Sequence, residues 1–279
     1  MSAPYQTVDT RWGTRNSHRL GQGNTLPYTG VPFGMNHFVL ETRPGEPRFF
    51  HPEDGTAFGI RLTHQPSPWM GDFAWVTWQV ACLTDKEWNQ LKSPLSAEAS
   101  RELASSGYRG DLAQFRPGFL SYQRLRDGLQ VACCPTRDGA SLKVTPDRRY
   151  PKGHWVMSLV LAQSGWYELE GHELTFYTNQ LAGSKYGQYG QYSRMLAPEG
   201  VTFKLCQVVD LGEGLHQLWL ELDGIEAISN QSLHLEWVTS YISPDQLELN
   251  YGQSDFFGQT WDQQCAQTEA AWEDYLSRL

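Results

Sequence analysis

The residues best suited to ligand chemistry lie in one short stretch, Arg61-Leu-Thr-His-Gln-Pro-Ser-Pro-Trp-Met-Gly-Asp-Phe73. Its two prolines each fix a backbone φ angle, which makes the segment between them stiff. A sugar is recognised by a flat apolar ring under its C–H surface and by amide or charged groups at its hydroxyls. Trp69 together with His64, Gln65 and Asp72 supplies that set, which predicts a carbohydrate-binding loop. A structural alternative stays open, in which Trp69 fills the core and Asp72 caps a turn.

A second unusual stretch, Gly21-Gln-Gly-Asn-Thr-Leu-Pro-Tyr-Thr-Gly-Val-Pro-Phe-Gly-Met35, is crowded with glycine and proline yet rich in apolar residues. Most of it predicts a rigid, well-packed loop that leads into a strand. Asn24 and Thr25 are exceptions, because small polar side chains beside glycines leave room for a ligand to approach. Asn24 is therefore the candidate sugar contact of this stretch.

Tyrosines recur every third residue in Tyr186-Gly-Gln-Tyr-Gly-Gln-Tyr192, with glycines between them. Such a segment is typical of a mobile polar loop on the surface, which is the interpretation we favour. The alternative is that one of these tyrosines lines the same pocket as Trp69.

No catalytic signature is complete in the sequence. His172-Glu173 is followed by Leu-Thr-Phe and so does not form H-E-x-x-H. Gly183-Ser184 lacks the spacing of a nucleophile elbow, and Gly21-Gln-Gly23 lacks the third glycine of a dinucleotide-binding loop. No histidine pair has metal-ligand spacing. From motifs alone, we predict neither a catalytic residue nor a metal site in this chain.

Charge and composition exclude several classes of partner. The chain has 279 residues, with 22 Lys and Arg against 31 Asp and Glu, which gives a net charge of −9. Binding to nucleic acids or to anionic membranes depends on clustered basic residues, so neither partner is expected. Aromatic residues make up 13% of the chain, with 11 Trp and 13 Tyr. Their flat apolar faces and polar edges suit strand cores and sugar-stacking sites.

Neither a signal peptide nor a membrane span is visible in the sequence. The N-terminus lacks a basic segment followed by an apolar one, and no apolar run approaches the roughly 18 residues that a membrane span needs. The five cysteines are odd in number and lack CxxC spacing. Adjacent Cys133 and Cys134 would lie on opposite faces of a strand as buried thiols. We expect a cytoplasmic protein with reduced cysteines, while a secreted form that has lost its signal stays open.

Short segments rich in apolar, aromatic and β-branched residues, many of them alternating apolar with polar positions, dominate the chain up to about Asn250. Glycine turns, such as Asp127-Gly128 and Asp223-Gly224, separate them. Many short strands with frequent turns favour a sandwich over βαβ units. We therefore predict an all-β fold, a large antiparallel β-sandwich of two sheets with His154–Leu161 as a central strand. The predicted strands are Phe73–Val80, Leu129–Cys133, Ser141–Thr145, His154–Leu161, Val201–Val208, Gln217–Leu222 and Ser232–Val238.

Two segments have helical character. Ser93 to Ala104 contains good helix formers after a Ser-Pro start and predicts a short surface helix. Thr260 to Leu279 carries its apolar residues on one stripe and ends without a glycine cap. This stripe predicts either a helix that docks back on the sandwich or a connector into a further domain. We divide the chain into a sandwich domain, residues 1–258, and a connector helix, residues 259–279.

The two glycine- and proline-rich stretches occur in an order that resembles the N-terminal domain of glycoside hydrolase family 92. The matching segments are Gly23–Met35 and Thr63–Asp72, followed by Phe115-Arg-Pro-Gly-Phe119 and Thr239-Ser-Tyr-Ile-Ser-Pro-Asp-Gln246. The terminal helix, with Ala270-Ala-Trp272, looks like the family's connector into its catalytic domain. The resemblance covers nearly the whole chain.

The resemblance implies a sandwich domain of an inverting, calcium-dependent exo-α-mannosidase. Members of that family continue into an (α/α)6 barrel that carries the general acid, the general base and the calcium ligands. An inverting glycosidase needs two carboxyls about 6.5–9.5 Å apart. The sequence gives no reason to pair any two of Glu41, Glu53, Asp54 and Asp72. We therefore expect no calcium site and no catalysis from this chain alone.

By the same resemblance, Trp69 matches the tryptophan that meets the leaving-group sugar, while His64, Gly71 and Asp72 shape the pocket wall. We expect a substrate-binding domain for an α-mannoside or related glycan, working with a catalytic (α/α)6 domain in cis or in trans. Two alternatives stay open. One is a stand-alone carbohydrate-binding protein, and the other is an interaction domain that complements a separately encoded barrel.

Overall fold

The computed structural model describes residues 4–15, 25–65, 67, 70–147, 153–162, 164–180, 189–228 and 232–278. The strands in this part of the chain are β1 His37–Glu41, β2 Thr56–Ala57, β3 Gly59–Thr63, β4 Val76–Leu83, β5 Ser106–Gly107, β6 Gln114–Arg116, β7 Phe119–Gln123, β8 Leu129–Thr136, β9 Gly139–Pro146, β10 His154–Ala162, β11 Trp166–Glu170, β12 Glu173–Thr178, β13 Gln191–Leu196, β14 Thr202–Gly212, β15 Leu215–Asp223 and β16 Leu233–Ser240. The helices are α1 Pro4–Thr7, α2 Asp85–Leu91, α3 Ala97–Ala104, α4 Pro244–Gly252 and α5 Trp261–Leu276, with a 3-10 helix at Ile225–Ile228.

Two large antiparallel sheets form a sandwich. One sheet has the strand order β1-β3-β4-β10-β15-β14, and the other has the order β11-β12-β13-β16-β9-β8-β7-β6. Strands β2 and β5 pair separately. The predicted all-β sandwich of two sheets is confirmed, and β10 lies between β4 and β15 as a central strand.

The core lies between the two sheets, and strands such as β12 and β16 contribute alternate side chains to it. In β16, Leu233, Leu235 and Trp237 are buried, while His234 between them is only partly buried. Trp237 meets Phe38 of β1 edge to face, with 5.8 Å between ring centroids. This aromatic contact joins the two sheets across the sandwich.

Helices cover parts of both outer faces. On the six-stranded sheet, Trp219 of β15 donates from Nε1 to Ser100 Oγ of α3 at 2.8 Å. On the eight-stranded sheet, α5 packs on β8 and β9, and α4 packs on β16 and β13. Thr268 of α5 donates from Oγ1 to the carbonyl of Pro135 at 2.7 Å. The terminal helix therefore docks back on the sandwich, and its role as a connector stays a prediction, as does the division at residue 258.

Three details of the predicted elements are wrong. Strand β4 begins at Val76 and not at Phe73, because the amide of Trp75 bonds to the side chain of Gln180. The surface helix begins at Ala97, where the Ser96 hydroxyl caps it, and does not follow the Ser-Pro start. The strand-rich region ends at residue 240, before α4, and does not run to residue 250.

Two further sequence predictions have different outcomes. Cys133 is buried in the core and Cys134 lies beside Thr268 of α5, so the expected buried thiols on opposite faces are confirmed. In the tyrosine repeat, residues 186–188 lie outside the described residues. Gln191 and Tyr192 belong to β13, so the loop interpretation is wrong for them. No helix in the described part of the chain is long and apolar enough to cross a membrane.

Candidate functional site

The carboxylate of Asp72 forms the base of the predicted carbohydrate-binding loop. It accepts hydrogen bonds from Thr63 Oγ1 at 2.5 Å, from the backbone amide of His64 at 3.0 Å and from the backbone amide of Ala74 at 3.3 Å. Burial by itself would raise the pKa of Asp72. The hydrogen bonds and charge of His64 and the hydroxyl of Thr63 outweigh it and lower the pKa to about 2. Asp72 is therefore an ionised, fully engaged anchor.

The imidazole of His64 extends this anchor to the eight-stranded sheet. Its Nδ1 lies 3.2 Å from Asp72 Oδ1, and its Nε2 lies 3.0 Å from Asn36 Oδ1. Gln191 of β13 donates from Nε2 to the same Asn36 oxygen at 2.6 Å. Asn36 in turn donates from Nδ2 to Thr239 Oγ1 of β16 at 2.8 Å. Because these side chains are buried, the chain of hydrogen bonds ties the loop rigidly to the second sheet.

Aromatic rings close over the same histidine. Phe73 stacks on His64 with 4.7 Å between ring centroids, and Tyr241 meets His64 edge to face at 5.4 Å. The Tyr241 hydroxyl donates to the carbonyl of Met35 at 2.9 Å. Burial and the nearby Asp72 carboxylate raise the pKa of Tyr241. The hydroxyl therefore stays protonated and fixes the end of the first glycine- and proline-rich stretch.

Gln65 points away from His64 and Asp72. Its side chain donates from Nε2 to the carbonyl of Pro47 at 2.9 Å, and its own carbonyl accepts from the Tyr28 hydroxyl at 2.6 Å. The residue is buried. Gln65 thus links the two glycine- and proline-rich stretches, and a sugar contact by it stays a prediction.

The exposed tip of the loop is the part free to meet a ligand. Met70 is 59% exposed, and its amide donates to the carbonyl of Ser67 at 3.1 Å. Gly71 is exposed, and a Cβ added there would touch nothing within 4 Å. Trp69 and Asn24 lie outside the described residues, so their proposed sugar contacts stay predictions. The structure brings His64 and Asp72 together beneath this tip.

The first glycine- and proline-rich stretch lines a groove of about 630 Å³ together with α5. Trp272 of α5 donates from Nε1 to the carbonyl of Gly30 at 2.8 Å, and Tyr275 meets Phe33 edge to face at 5.6 Å. Phe33 is 88% exposed and has a φ of 59°, which is a strained conformation for a residue other than glycine. The groove is lined mainly by apolar side chains. Its lining residues include Trp12, Thr25, Leu26, Tyr28, Val31, Phe33, His37, Pro117, Trp272, Tyr275 and Leu276.

The four carboxylates considered above as possible catalytic groups each form an ion pair with a different basic side chain. Glu41, Glu53, Asp54 and Asp72 pair with Arg61, Arg15, Arg43 and His64, respectively. Among the described residues, no group of three or more His, Cys, Asp or Glu side chains is arranged to hold a metal ion. The described side chains of this chain therefore do not provide the ligand set of the calcium site that the family resemblance implies for the catalytic domain.

Asn36, Gln191, Thr239 and Tyr241 belong to the site but are not singled out by the sequence analysis. Three of them lie more than a hundred residues from His64 along the chain. The only available signal is that Thr239 and Tyr241 fall inside one of the segments that resemble family 92. Once the register of β13 is known, a polar residue at an inward-facing position, such as Gln191, also indicates a buried hydrogen-bond network.

Comparison with known proteins identifies the domain. The model of the glycosyl hydrolase family 92 N-terminal domain matches residues 7–201. The inverting mannosidase BT2199 from Bacteroides thetaiotaomicron has a similar structure, with a TM-score of 0.75 and 19% sequence identity over 98% of this chain. The α-mannosidase BT3965 from the same organism gives a TM-score of 0.67 with 16% identity over 92% of this chain. Comparison with curated proteins gives no match.

The chain spans only part of these larger proteins, covering 37% of BT2199 and 36% of BT3965. The matched segment includes both glycine- and proline-rich stretches and the strands from β1 to β13. The structural likeness extends over the remaining strands and helices. The chain therefore belongs to the N-terminal domain family of glycosyl hydrolase family 92.

Proposed function

We propose that this chain is the substrate-binding domain of an α-mannosidase-like glycoside hydrolase and contributes carbohydrate contacts at its interface with a catalytic domain. The observation that carries the proposal is the anchored loop within a family 92 N-terminal domain. Its base is held by Asp72 and His64, while its tip at Met70 and Gly71 is exposed. A loop with a fixed base and an open tip suits a ligand contact that must keep its geometry.

His64 and Asp72 act in this proposal as positioning residues. Both ring nitrogens of His64 have protein partners, and the Asp72 side chain is only 1% exposed. Their polar atoms are thus engaged by the protein, and in this proposal the sugar contact is made by Trp69, which immediately precedes Met70 in the sequence. The flat face of a tryptophan covers the C–H surface of a pyranose, which is the chemistry of the leaving-group sugar contact.

Hydrolysis itself belongs to the partner domain. An inverting mechanism needs a general acid and a general base on opposite sides of the glycosidic bond. Each of the four carboxylates considered above contacts a separate basic side chain. The chain therefore supplies binding and orientation, and its catalytic partner supplies both carboxyls and the calcium ion.

The groove beside α5 supports contact with a further domain. Trp12 and Phe33 on its rim are 74% and 88% exposed. Exposed apolar side chains grouped around one concave surface are typical of protein interaction sites. In this proposal the catalytic domain covers the groove, whose lining residue Tyr28 contacts the loop through the carbonyl of Gln65.

The test compares Trp69→Ala with the parent in a protein that carries this chain together with its catalytic domain. Loss of a stacking tryptophan costs about 2 kcal/mol of binding, or about 30-fold. We expect kcat/KM on α-mannobiose to fall by about that factor. The rate on an aryl α-mannoside, whose leaving group makes fewer such contacts, should fall much less.

Leu205→Ala serves as the control, since it removes an exposed apolar side chain elsewhere on the sandwich. It should leave both rates within about twofold of the parent. Equal losses on both substrates for Trp69→Ala, or a melting temperature lowered as for a core residue, would assign Trp69 to the core. The proposed sugar contact would then be wrong.

A further inference from the structure

Three aromatic residues meet on the outer face of the eight-stranded sheet. Trp166 of β11 pairs in register with Tyr177 of β12, which pairs with Tyr192 of β13. Tyr192 follows Gln191 in the strand, so its side chain points to the opposite face from the one that holds the His64 network. We call these three residues the Trp166 cluster.

The three rings form a compact platform. The Trp166 ring is nearly parallel to that of Tyr177, with an interplanar angle of 15° and 6.4 Å between centroids. Trp166 also lies 6.2 Å from Tyr192, and the two tyrosine rings are 4.8 Å apart. Trp166 therefore leans across both tyrosines, which support one side of its indole.

The absence of a side chain at Gly190 makes room for the ring of Tyr177, the middle residue of the cluster. A Cβ added at Gly190 would lie 2.3 Å from the Tyr177 hydroxyl oxygen and 2.4 Å from its Cζ. The phenol ring thus lies directly across the backbone of Gly190, where any larger residue would displace it. This close approach accounts for one glycine of the repeat Tyr186–Tyr192.

The Trp166 cluster extends from the edge of the sheet to the flank of α4, where Tyr192 packs against the apolar cluster that includes Leu247. Helix α5 packs on β8 and β9, and α4 packs on β16 and β13. Trp166, on the edge strand β11, remains 37% exposed. Cross-strand aromatic contacts stabilise a sheet, but a supported indole with an exposed surface is also a stacking site.

The acidic side chains beside the Trp166 cluster favour an uncharged ligand over an anionic one. On the same outer face, Glu168 and Glu170 follow Trp166 along β11, and Glu173 lies opposite Glu170 on β12. Among the described residues, the nearest basic side chain in this register is Arg194, which is already paired with Glu173 and Glu248. Nucleobases also stack on aromatic rings, but the phosphates of a nucleic acid would be repelled here.

We propose that the Trp166 cluster binds a neutral polysaccharide chain, as a glycan surface separate from the Trp69 loop. Pyranose rings stack on Trp166, and their hydroxyls donate to the carboxylates of Glu168 and Glu170. A second contact of this kind holds the chain of a polymer near the domain without taking part in hydrolysis. The proposal does not depend on the sugar contact assigned to Trp69.

Affinity electrophoresis of the 279-residue chain tests the proposal, with α-mannan, galactomannan or hydroxyethylcellulose in the gel. We expect at least one of these neutral polymers to retard the parent. Trp166→Ala and Trp166→Leu should each weaken the apparent affinity at least about tenfold. Trp166→Leu keeps apolar bulk over Tyr177, so its melting temperature separates lost stacking from lost folding. Trp166→Phe should retain most of the retardation.

Tyr275→Ala is the matched control, because Tyr275 has the same exposed fraction of 37% and lies at the groove beside α5. It should be retarded like the parent. Absence of retardation on all three polymers, or equal retardation of the parent and both aliphatic variants at Trp166, would overturn the proposal. If Trp69→Ala alone abolished retardation, the Trp166 surface would be wrong while the Trp69 assignment would stand.

Discussion

The Nδ1 atom of His64 lies 3.2 Å from Oδ1 of Asp72, eight residues further along the chain. Their side chains are only 7% and 1% exposed, so the contact is shielded from solvent. It joins the two ends of the segment that contains the exposed tip at Met70 and Gly71. The position of that tip is therefore coupled to the protonation of one buried carboxyl.

Stability should fall at low pH through Asp72. Its pKa is about 2 in the folded chain and 3.8 in the reference state. A lowered folded-state pKa stabilises the protein above pH 3.8, and this contribution is lost as the pH falls toward 2. The shift corresponds to roughly 2 kcal/mol. Urea unfolding between pH 2 and pH 6 should show a smaller decrease for Asp72→Asn than for the parent.

The matched control is Asp85→Asn, whose side chain is 94% exposed. It should retain the parent's decrease in this pH range. A parent and an Asp72→Asn variant with identical pH profiles would show that the folded-state carboxyl has no special environment.

Asn36→Ala should destabilise the fold because it removes the centre of the buried network. Its oxygen accepts from Gln191 and faces His64, and its nitrogen donates to Thr239. Buried polar groups left without partners each cost about 1–3 kcal/mol. We expect urea unfolding to give a loss of about 3 kcal/mol, whereas the exposed Asn89→Ala should lose less than about 1 kcal/mol. A loss below 1 kcal/mol for Asn36→Ala would contradict a rigid loop base.

Local alternation was sufficient to predict much of the sandwich. The sequences of β15 and β16 alternate over six or more residues, and glycines mark the turns between strands. In β14 a register shift between Leu205 and Gln207 breaks the predicted alternation and leaves Leu205 and Val208 exposed. The pattern does not predict α2, because its seven residues contain only two that are buried, Trp88 and Leu91. A helix of this length has no complete apolar stripe that a periodic pattern could reveal. The feature of the sequence that indicates α2 is the capping box formed by Thr84 and Glu87.

The meeting of distant polar residues was not predictable from the sequence. Asn36 and Gln191 are 155 residues apart, and their contact depends on how β13 faces the loop before β1. The same register sets Trp166, Tyr177 and Tyr192 beside one another. Alternation assigns each residue to a face, but only the pairing of strands decides which residues on that face are neighbours.

Gly118→Ala should loosen α5 from the sandwich. A Cβ at residue 118 would lie 2.7 Å from Thr268 Cγ2, 2.9 Å from Trp272 Cδ1 and 3.1 Å from the Tyr5 hydroxyl. Overpacking of this kind costs about 1–3 kcal/mol, so limited proteolysis should cut within α5 faster than in the parent. Gly252→Ala, where a Cβ meets nothing within 4 Å, should be cut at the parent rate. Equal protection of both variants would mean that α5 is not held by this contact.

The chain of residues 1–279 should not hydrolyse an aryl α-mannoside, with or without added calcium. Its carboxylates Glu41, Glu53, Asp54 and Asp72 are held in separate ion pairs. Release of the aryl group, followed by absorbance, should match the rate of buffer. Turnover that survives repurification and disappears on substitution of a carboxylate would show that a catalytic pair exists in this chain.

Gly190→Ala should weaken polysaccharide binding without removing an aromatic ring. The added methyl group would lie 2.3 Å from the Tyr177 hydroxyl oxygen and 2.6 Å from the carbonyl oxygen of Thr178. The phenol and the adjoining backbone must therefore shift, and Trp166 loses its support. Retardation on the polymer that binds the parent should weaken severalfold, whereas Gly55→Ala, with nothing within 4 Å of its Cβ, should bind as the parent does. In a Tyr177→Leu background the same glycine substitution should have a smaller effect, because only the clash with the Thr178 carbonyl oxygen remains. Additive losses from the two substitutions would show that Gly190 affects binding by a route other than the Tyr177 ring.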